Sequence, residues 1–161
     1  MQDDYTIHRA SIDEIKLIQK VLLAAFEEYR DFYSPEAFAD TILSNEETAK
    51  ERLNQMKVYI AIEHDGKVIG TIGWQKIDEE EGHIRGMAVH PKKQGMNSPA
   101  TSLLQYVEDE ACSEGCKIMT LDTTEILQKA QKFYRKNGYK KTGKTTLWLG
   151  HLIYEFAKKL I

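Results

Sequence analysis

The chain has 161 residues, of which 42% are hydrophobic and 29% charged, with a formal net charge of −3. That length suits a single domain, 1–161, with room for a real core. The charge balance leaves no footprint for nucleic acid or for an anionic membrane.

No apolar run approaches the length of a membrane span. The acidic start Met1-Gln2-Asp3-Asp4 leads into no apolar signal core, so a cytoplasmic protein is expected.

In chain order, Tyr5 to Arg9 reads as a short strand. Ser11 is an N-cap candidate, with Glu14 three residues on to close a capping box. Ile15, Ile18, Leu22, Ala25, Phe26 and Tyr29 follow at helical spacing. Ser34-Pro35 signals a second helix, carrying Phe38 and Ile42. The charged stretch from Asn45 to Gln55 reads as a third, with Leu53 and Met56 as its apolar contacts.

From Lys57 the period changes to two. Val58, Ile60 and Ile62 alternate, His64-Asp65-Gly66-Lys67 turns the chain, and Val68 to Gln75 returns. Gly82 to His90 is a third strand, stopped by Pro91. Ser98-Pro99 opens a helix with Ala100, Leu103, Leu104, Val107 and Ala111 on its buried stripe, and Gly115 ends it. Cys112 and Cys116 lie near that end. Their spacing without partner ligands argues for two reduced thiols and against a zinc site.

Lys117 to Asp122 is a strand. Ile126, Ala130 and Phe133 mark a helix ending at Asn137-Gly138. Two strands remain, near Lys140 to Lys144 and from Leu147 to Lys158. The predicted class is α/β with a mixed sheet, in the order β-α-α-β-β-β-α-β-α-β-β, with two or three helices after the first strand. The last strand sets Leu152, Tyr154 and Phe156 on one alternating set. Pairing across a homodimer and burial within one subunit explain that pattern equally well.

Three local features carry the chemistry. Arg85-Gly86-Met87-Ala88-Val89-His90-Pro91 is a strand running into a proline stop. Lys92-Lys93-Gln94-Gly95-Met96-Asn97-Ser98-Pro99 is a basic loop that opens a helix, where free N–H groups and the helix dipole suit a pyrophosphate. Lys92 and Lys93 add charge at its mouth. Ala130 to Tyr139 is a helix end holding Phe133-Tyr134 and Gly138-Tyr139.

With these pieces in this order, nearly the whole chain resembles the GNAT superfamily, the Gcn5-related N-acetyltransferases. The resemblance implies the acyl-CoA N-acyltransferase fold and transfer of acetyl from acetyl-CoA to a primary amine of a small molecule or peptide, with no metal. In that family the strand carrying Met87, Ala88 and Val89 splays from its parallel neighbour, and the pantetheine arm lies in the opening. The implied cofactor contacts are Met87, Ala88, Val89, Gln94, Gly95, Met96, Asn97, Ser98, Ala100, Thr101, Lys132 and Phe133. The loop departs from the family pattern. Asn97, Ser98 and Pro99 stand where small residues are usual, Pro99 brings no N–H, and Ser98 as an N-cap would have its oxygen occupied. The alternative this leaves is a degenerate GNAT-fold module that binds a ligand or a protein through a weakened CoA site.

Acetyl transfer needs a neutral amine, a polarised carbonyl and a protonated leaving thiolate. The resemblance places Tyr134 at the leaving sulfur and a backbone N–H of Ala88 or Val89 at the carbonyl. Counting back along the strand puts the family's base position at His83, with Glu81 two residues away on the same face. The plain alternatives are a packed tyrosine and a surface histidine. His90 reads as structural. Trp74, Tyr29 and Tyr33 are cleft candidates, with core packing the expected role. Glu27, Glu28, Asp31, Glu36, Asp40, Glu46 and Glu47 would form an acidic rim for a cationic acceptor, and a solvated helix face is the preferred reading.

Overall fold

The computed structural model describes residues 4–95 and 97–161. The period-two segments become β2 (Lys57–Glu63), β3 (Val68–Lys76) and β4 (Glu81–Val89), paired antiparallel as a meander. At the first turn only Gly66 takes a positive φ, +87°. β1 (Tyr5–Arg9) pairs antiparallel with β2. β5 (Ile118–Thr124) lies parallel to β4, β7 (His151–Lys159) runs antiparallel to β5, and β6 (Lys140–Trp148) closes the edge. The seven-stranded order is β1-β2-β3-β4-β5-β7-β6.

Three helices fill the segment between β1 and β2. α1 (Ile15–Phe26) follows a short 3-10 turn, where the Glu14 carboxylate accepts from the Ser11 N–H at 2.9 Å. α2 (Pro35–Thr41) is capped by Ser34, whose Oγ accepts from the Ala37 N–H. α3 (Glu46–Gln55) is capped by Asn45, which accepts from the Thr48 N–H. Later, α4 (Ala100–Ser113) connects β4 to β5 and α5 (Gln128–Lys136) follows β5. No helix among the described residues is long and apolar enough to cross a membrane.

The two final strands need a correction. The expected break near Lys144 is a bulge: Gly143 has φ +95° and the β6–β7 register shifts between Lys141 and Thr145. The real turn is Leu149-Gly150, both at positive φ, so Leu147 and Trp148 belong to β6. Gly143 thus kinks a continuous strand, and the turn glycine is Gly150.

Each face of the sheet buries its own apolar layer. Ile15, Ile18, Val21 and Leu22 of α1 pack on Val58, Ile60 and Ala88. Leu103, Leu104, Val107 and Ala111 of α4 pack on Trp74, Ile84, Met119, Leu121 and Phe156. Each such side chain removed from water contributes about 1.5–3 kcal/mol. Buried carboxylates on α4 are satisfied. Glu108 accepts from Tyr139 Oη at 2.6 Å and Lys158 Nζ at 2.9 Å, and Glu110 accepts from Trp74 Nε1 at 2.7 Å. These bonds tie α4 to β3, to β7 and to Tyr139 just before β6. Cys116 is fully buried and Cys112 half-buried, both as free thiols.

Candidate active site

The site begins with a defect in β4. Gly86 and Met87 together oppose Ile72 of β3, and Gly86 sits at φ +73°. A bulge bends its strand and sharpens the twist. The parallel pairing of β4 with β5 accordingly stops at Ile84–Leu121, although β4 runs on to Val89 and β5 to Thr124. The gap opens a groove of about 1190 Å³.

Strand alternation decides which backbone groups face it. The His90 N–H is spent on Ile69 O of β3 at 2.8 Å, so Val89 turns its N–H and C=O to the open side. The Gln94 amide donates to that C=O at 3.1 Å, leaving the Val89 N–H as the donor at the opening. Of the two candidates for a carbonyl-polarising N–H, geometry selects Val89. Across the gap, Thr124 Oγ1 on β5 is buried and finds no partner among the described residues.

Met87, Ala88, Val89, Gln94, Gly95, Asn97, Ser98, Ala100, Thr101, Phe133 and Tyr134 all line this groove. Met96 lies outside the described residues. Lys132 is corrected by the helical period: Ala130, Phe133, Tyr134 and Asn137 share the groove face of α5, whereas Lys132 is exposed away from it. Lys129 and Lys136 flank the groove instead. Lys93 is tied to Glu63 at 2.9 Å, so the charge expected from it at the loop mouth is already paired.

Tyr134 is buried, its ring held edge-on between Phe133 and Tyr139 at centroid distances of 5.6 and 5.8 Å. Its hydroxyl donates to Met87 Sδ at 3.3 Å. Burial alone drives the phenol well above its usual range, so it keeps its proton.

The loop places Asn97 at φ +64°, the left-handed position a glycine would favour. Ser98 Oγ accepts from the Ala100 N–H at 3.1 Å, so that donor is consumed, and Pro99 has none. The first helical bond is Leu103 N–H to Pro99 O at 2.9 Å. The N–H groups of Thr101 and Ser102 have no acceptor among the described residues. They stand at the positive end of a 14-residue helix, a setting suited to a phosphate. The groove therefore fits acyl-CoA on three counts: an open strand edge, an orphaned hydroxyl opposite it, and free N–H groups at a helix start.

His83 and Glu81 are joined through a residue the sequence reading missed. Thr120 Oγ1 donates to Glu81 Oε2 at 2.9 Å and has only one proton to give. It must then accept from His83 Nδ1–H at 2.8 Å, which leaves the lone pair on Nε2. His83 lines the groove and Glu81 stands behind it. Asp122 Oδ2 lies 3.6 Å from Nε2. Burial lowers the His83 pKa, partly offset by Asp122 and Glu81, and burial raises that of Asp122.

Beyond the bulge the groove is walled by Phe26, Tyr29, Tyr33 and Trp148, with Asp40, Arg52 and Arg85 among them. Tyr29 and Tyr33 thus reach the cleft, whereas Trp74 is fully buried core. Of the acidic side chains between 27 and 47, only Asp40 lines the groove. Glu27, Glu28, Asp31, Glu36, Glu46 and Glu47 are solvent-exposed. Arg52 and Arg85 were invisible as a pair because nothing in a polar helix or a strand start marks two residues that meet only in the fold.

Residues 18–139 match the acetyltransferase (GNAT) family. The chain is 28% identical over 153 residues to the S-(2-succino)cysteine N-acetyltransferase of Bacillus subtilis, covering 88% of this chain and 87% of that protein. It is 26% identical over 114 residues to an uncharacterised N-acetyltransferase of Mycobacterium bovis, covering 71% and 72%. Its fold is similar to that of the PaiA N-acetyltransferase from Thermoplasma acidophilum in complex with coenzyme A. That likeness has a TM-score of 0.80 at 19% identity and covers 99% of both chains.

Proposed function

We propose, from the premise that this chain belongs to the acetyltransferase (GNAT) family and is an N-acetyltransferase, that it acetylates a primary amine of a small molecule or peptide. The reading rests on one observation above the others. β4 and β5 part beyond Ile84–Leu121, with the Val89 N–H on one side of the gap and the Tyr134 hydroxyl directed into it. The name of the Bacillus relative, which specifies S-(2-succino)cysteine, supports a small-molecule acceptor.

Acetyl-CoA, when bound, supplies the thioester whose C–S bond breaks as the amine forms its new C–N bond. The chain's own residues handle position and protons. The Val89 N–H hydrogen-bonds the carbonyl oxygen as negative charge develops there. His83 Nε2, unprotonated while Nδ1–H is held by Thr120, accepts the proton the amine must lose. The Tyr134 hydroxyl donates to the departing sulfur. That hydroxyl now donates to Met87 Sδ, a weak acceptor it can exchange for the thiolate. One proton leaves the amine and one reaches the thiolate, so the step balances. Glu81 is a positioning residue that holds Thr120 in the orientation His83 requires.

The test is thiol release from acetyl-CoA across an amine panel. Wild type should turn over at least one amine, and Tyr134→Phe should lose about 100-fold or more in kcat while acetyl-CoA still raises its Tm. The degenerate-module reading draws on the loop, where Ser98 and Pro99 remove two N–H donors. It requires that acetyl-CoA give no thermal shift at all.

A further inference from the structure

Arg52 is the charged side chain that the proposed chemistry leaves unexplained. It lies on α3, is only 8% exposed, and lines the groove. Its guanidinium has no hydrogen bond or salt bridge to any described residue, and Asp40 is the one carboxylate whose charge bears on it. A Cβ built on Gly86 would stand 3.2 Å from Arg52 Nη1, so the guanidinium lies against the bare backbone of the β4 bulge. Burial and the charge of neighbouring Arg85 push its pKa down to about 10, with Asp40 opposing them. Asp40 Oδ2 is itself 3.5 Å from Arg85 Nη2. One carboxylate thus faces two guanidinium groups at this end of the groove. The guanidinium opens onto the groove with no protein partner of its own, and a bidentate carboxylate is the partner that guanidinium geometry fits best.

Position adds the second half of the argument. Gly86 abuts Arg52, and the next residue, Met87, abuts the Tyr134 hydroxyl. Arg52, His83 and Tyr134 also line one continuous groove, so an acceptor lying past the bulge can meet Arg52 with one group and present its amine to His83 and Tyr134 with another.

Building on the acetyltransferase reading, we propose that Arg52, with Arg85 beside it, binds a carboxylate of the acceptor. The acceptor is then an amino acid, carrying a carboxylate as well as the reacting amine, and not a polyamine or an aminoglycoside. Arg52 is a specificity-determining residue that touches substrate. The aromatic wall of Phe26, Tyr29 and Trp148 receives the remainder of the molecule.

The experiment compares acetyl transfer to amino acids, including S-carboxymethylcysteine, with transfer to their carboxamides, to spermidine and to kanamycin. The expected result is at least a tenfold preference for the free acid over its carboxamide. Arg52→Gln should erase that preference by raising KM for the acid tenfold or more. The acetyl-CoA thermal shift of the variant should match wild type. Its Tm should be equal to or higher than wild type, since a largely buried charge beside Arg85 has gone; a purely structural arginine would lower it. Equal use of acid and carboxamide by wild type overturns the proposal without reference to any variant. So does spermidine or kanamycin as the best acceptor with an unchanged KM in Arg52→Gln. Those outcomes leave the transferase reading intact, whereas absence of any acetyl-CoA thermal shift overturns both.

Discussion

The two halves of the groove are built from different materials. The half proposed for the cofactor offers backbone: the open edge of β4 at Val89, and the N–H groups of Thr101 and Ser102 at the start of α4. Side chains there mostly keep out of the way, and Gln94 even occupies one of the free carbonyls. The acceptor half uses charged and aromatic side chains from α2, α3, β4 and β5, namely Asp40, Arg52, Arg85, His83 and Asp122. Backbone recognition tolerates sequence drift, so under the proposed function the cofactor half should survive unusual residues in the loop. Side-chain recognition does not, so the proposed acceptor specificity falls to the second half. Tyr134→Phe should accordingly damage every acceptor alike, whereas Arg52→Gln should damage only carboxylated ones.

The largest effect in the acceptor half is expected at His83. His83→Gln should lower kcat/KM by about 100-fold, the lower range of a lost general base. The pH dependence gives a sharper readout. Burial disfavours the imidazolium, so the folded pKa lies below the ordinary value of about 6.5. Wild-type kcat/KM should fall on the acid side as pH drops through that lowered value, and the variant should lack that limb. Stability follows the same sign. The depressed pKa contributes stability above about pH 6.5 that is lost as pH falls through the folded value. Denaturant melts of wild type and His83→Gln should therefore converge on the acid side. An unchanged acid limb in the variant would assign the proton to another group.

Gly86 joins the two halves, and a single methyl there should separate them. Gly86→Ala forces a left-handed φ on a residue with a Cβ, at a cost of roughly 1–2 kcal/mol. The new Cβ meets Arg52 Nη1 at 3.2 Å and moves the guanidinium. The expected outcome is a Tm loss of a few degrees with a several-fold rise in acceptor KM and little change in acetyl-CoA affinity. Steady-state kinetics against a CoA titration would show the split. A larger loss of CoA binding than of acceptor binding would mean that the bulge serves the cofactor half first.

This contrast also explains what could be read in advance. The cofactor half is local. Met87-Ala88-Val89, the proline stop and the helix start lie within one continuous stretch, and Tyr134 sits in a compact pattern of its own. The same holds for the elements: Ser34-Pro35 and Asn45 mark their helices through caps a few residues long. The acceptor half is non-local. Arg52 and Gly86 meet only because α3 packs beside the bulge, and Thr120 reaches His83 across a parallel pair. No periodicity records such meetings. Lys132 was misplaced by one step around a helix, and the β6–β7 turn by a glycine that serves a bulge.

The smallest effect expected is also the most direct test of the cofactor half. Pro99 occupies the N-cap of α4 with φ −74°, accepts from the Leu103 N–H, and packs its ring over Gly70. Pro99→Ala removes part of that packing and restores one N–H among the donors at the helix start. The two changes act in opposite directions on two observables. Lost packing and lost rigidity should lower the Tm of the free protein by roughly 2–4 °C, about 1 kcal/mol at this chain length. A regained N–H toward a charged phosphate should tighten acetyl-CoA binding about fivefold, within the range for such hydrogen bonds once the added flexibility is deducted. Lower free-state stability with a larger CoA-induced shift is the signature of a loop whose backbone holds the pyrophosphate. If the variant loses stability and gains no affinity, the donors that matter lie at Thr101 and Ser102, and the departure at Pro99 is neutral for the cofactor.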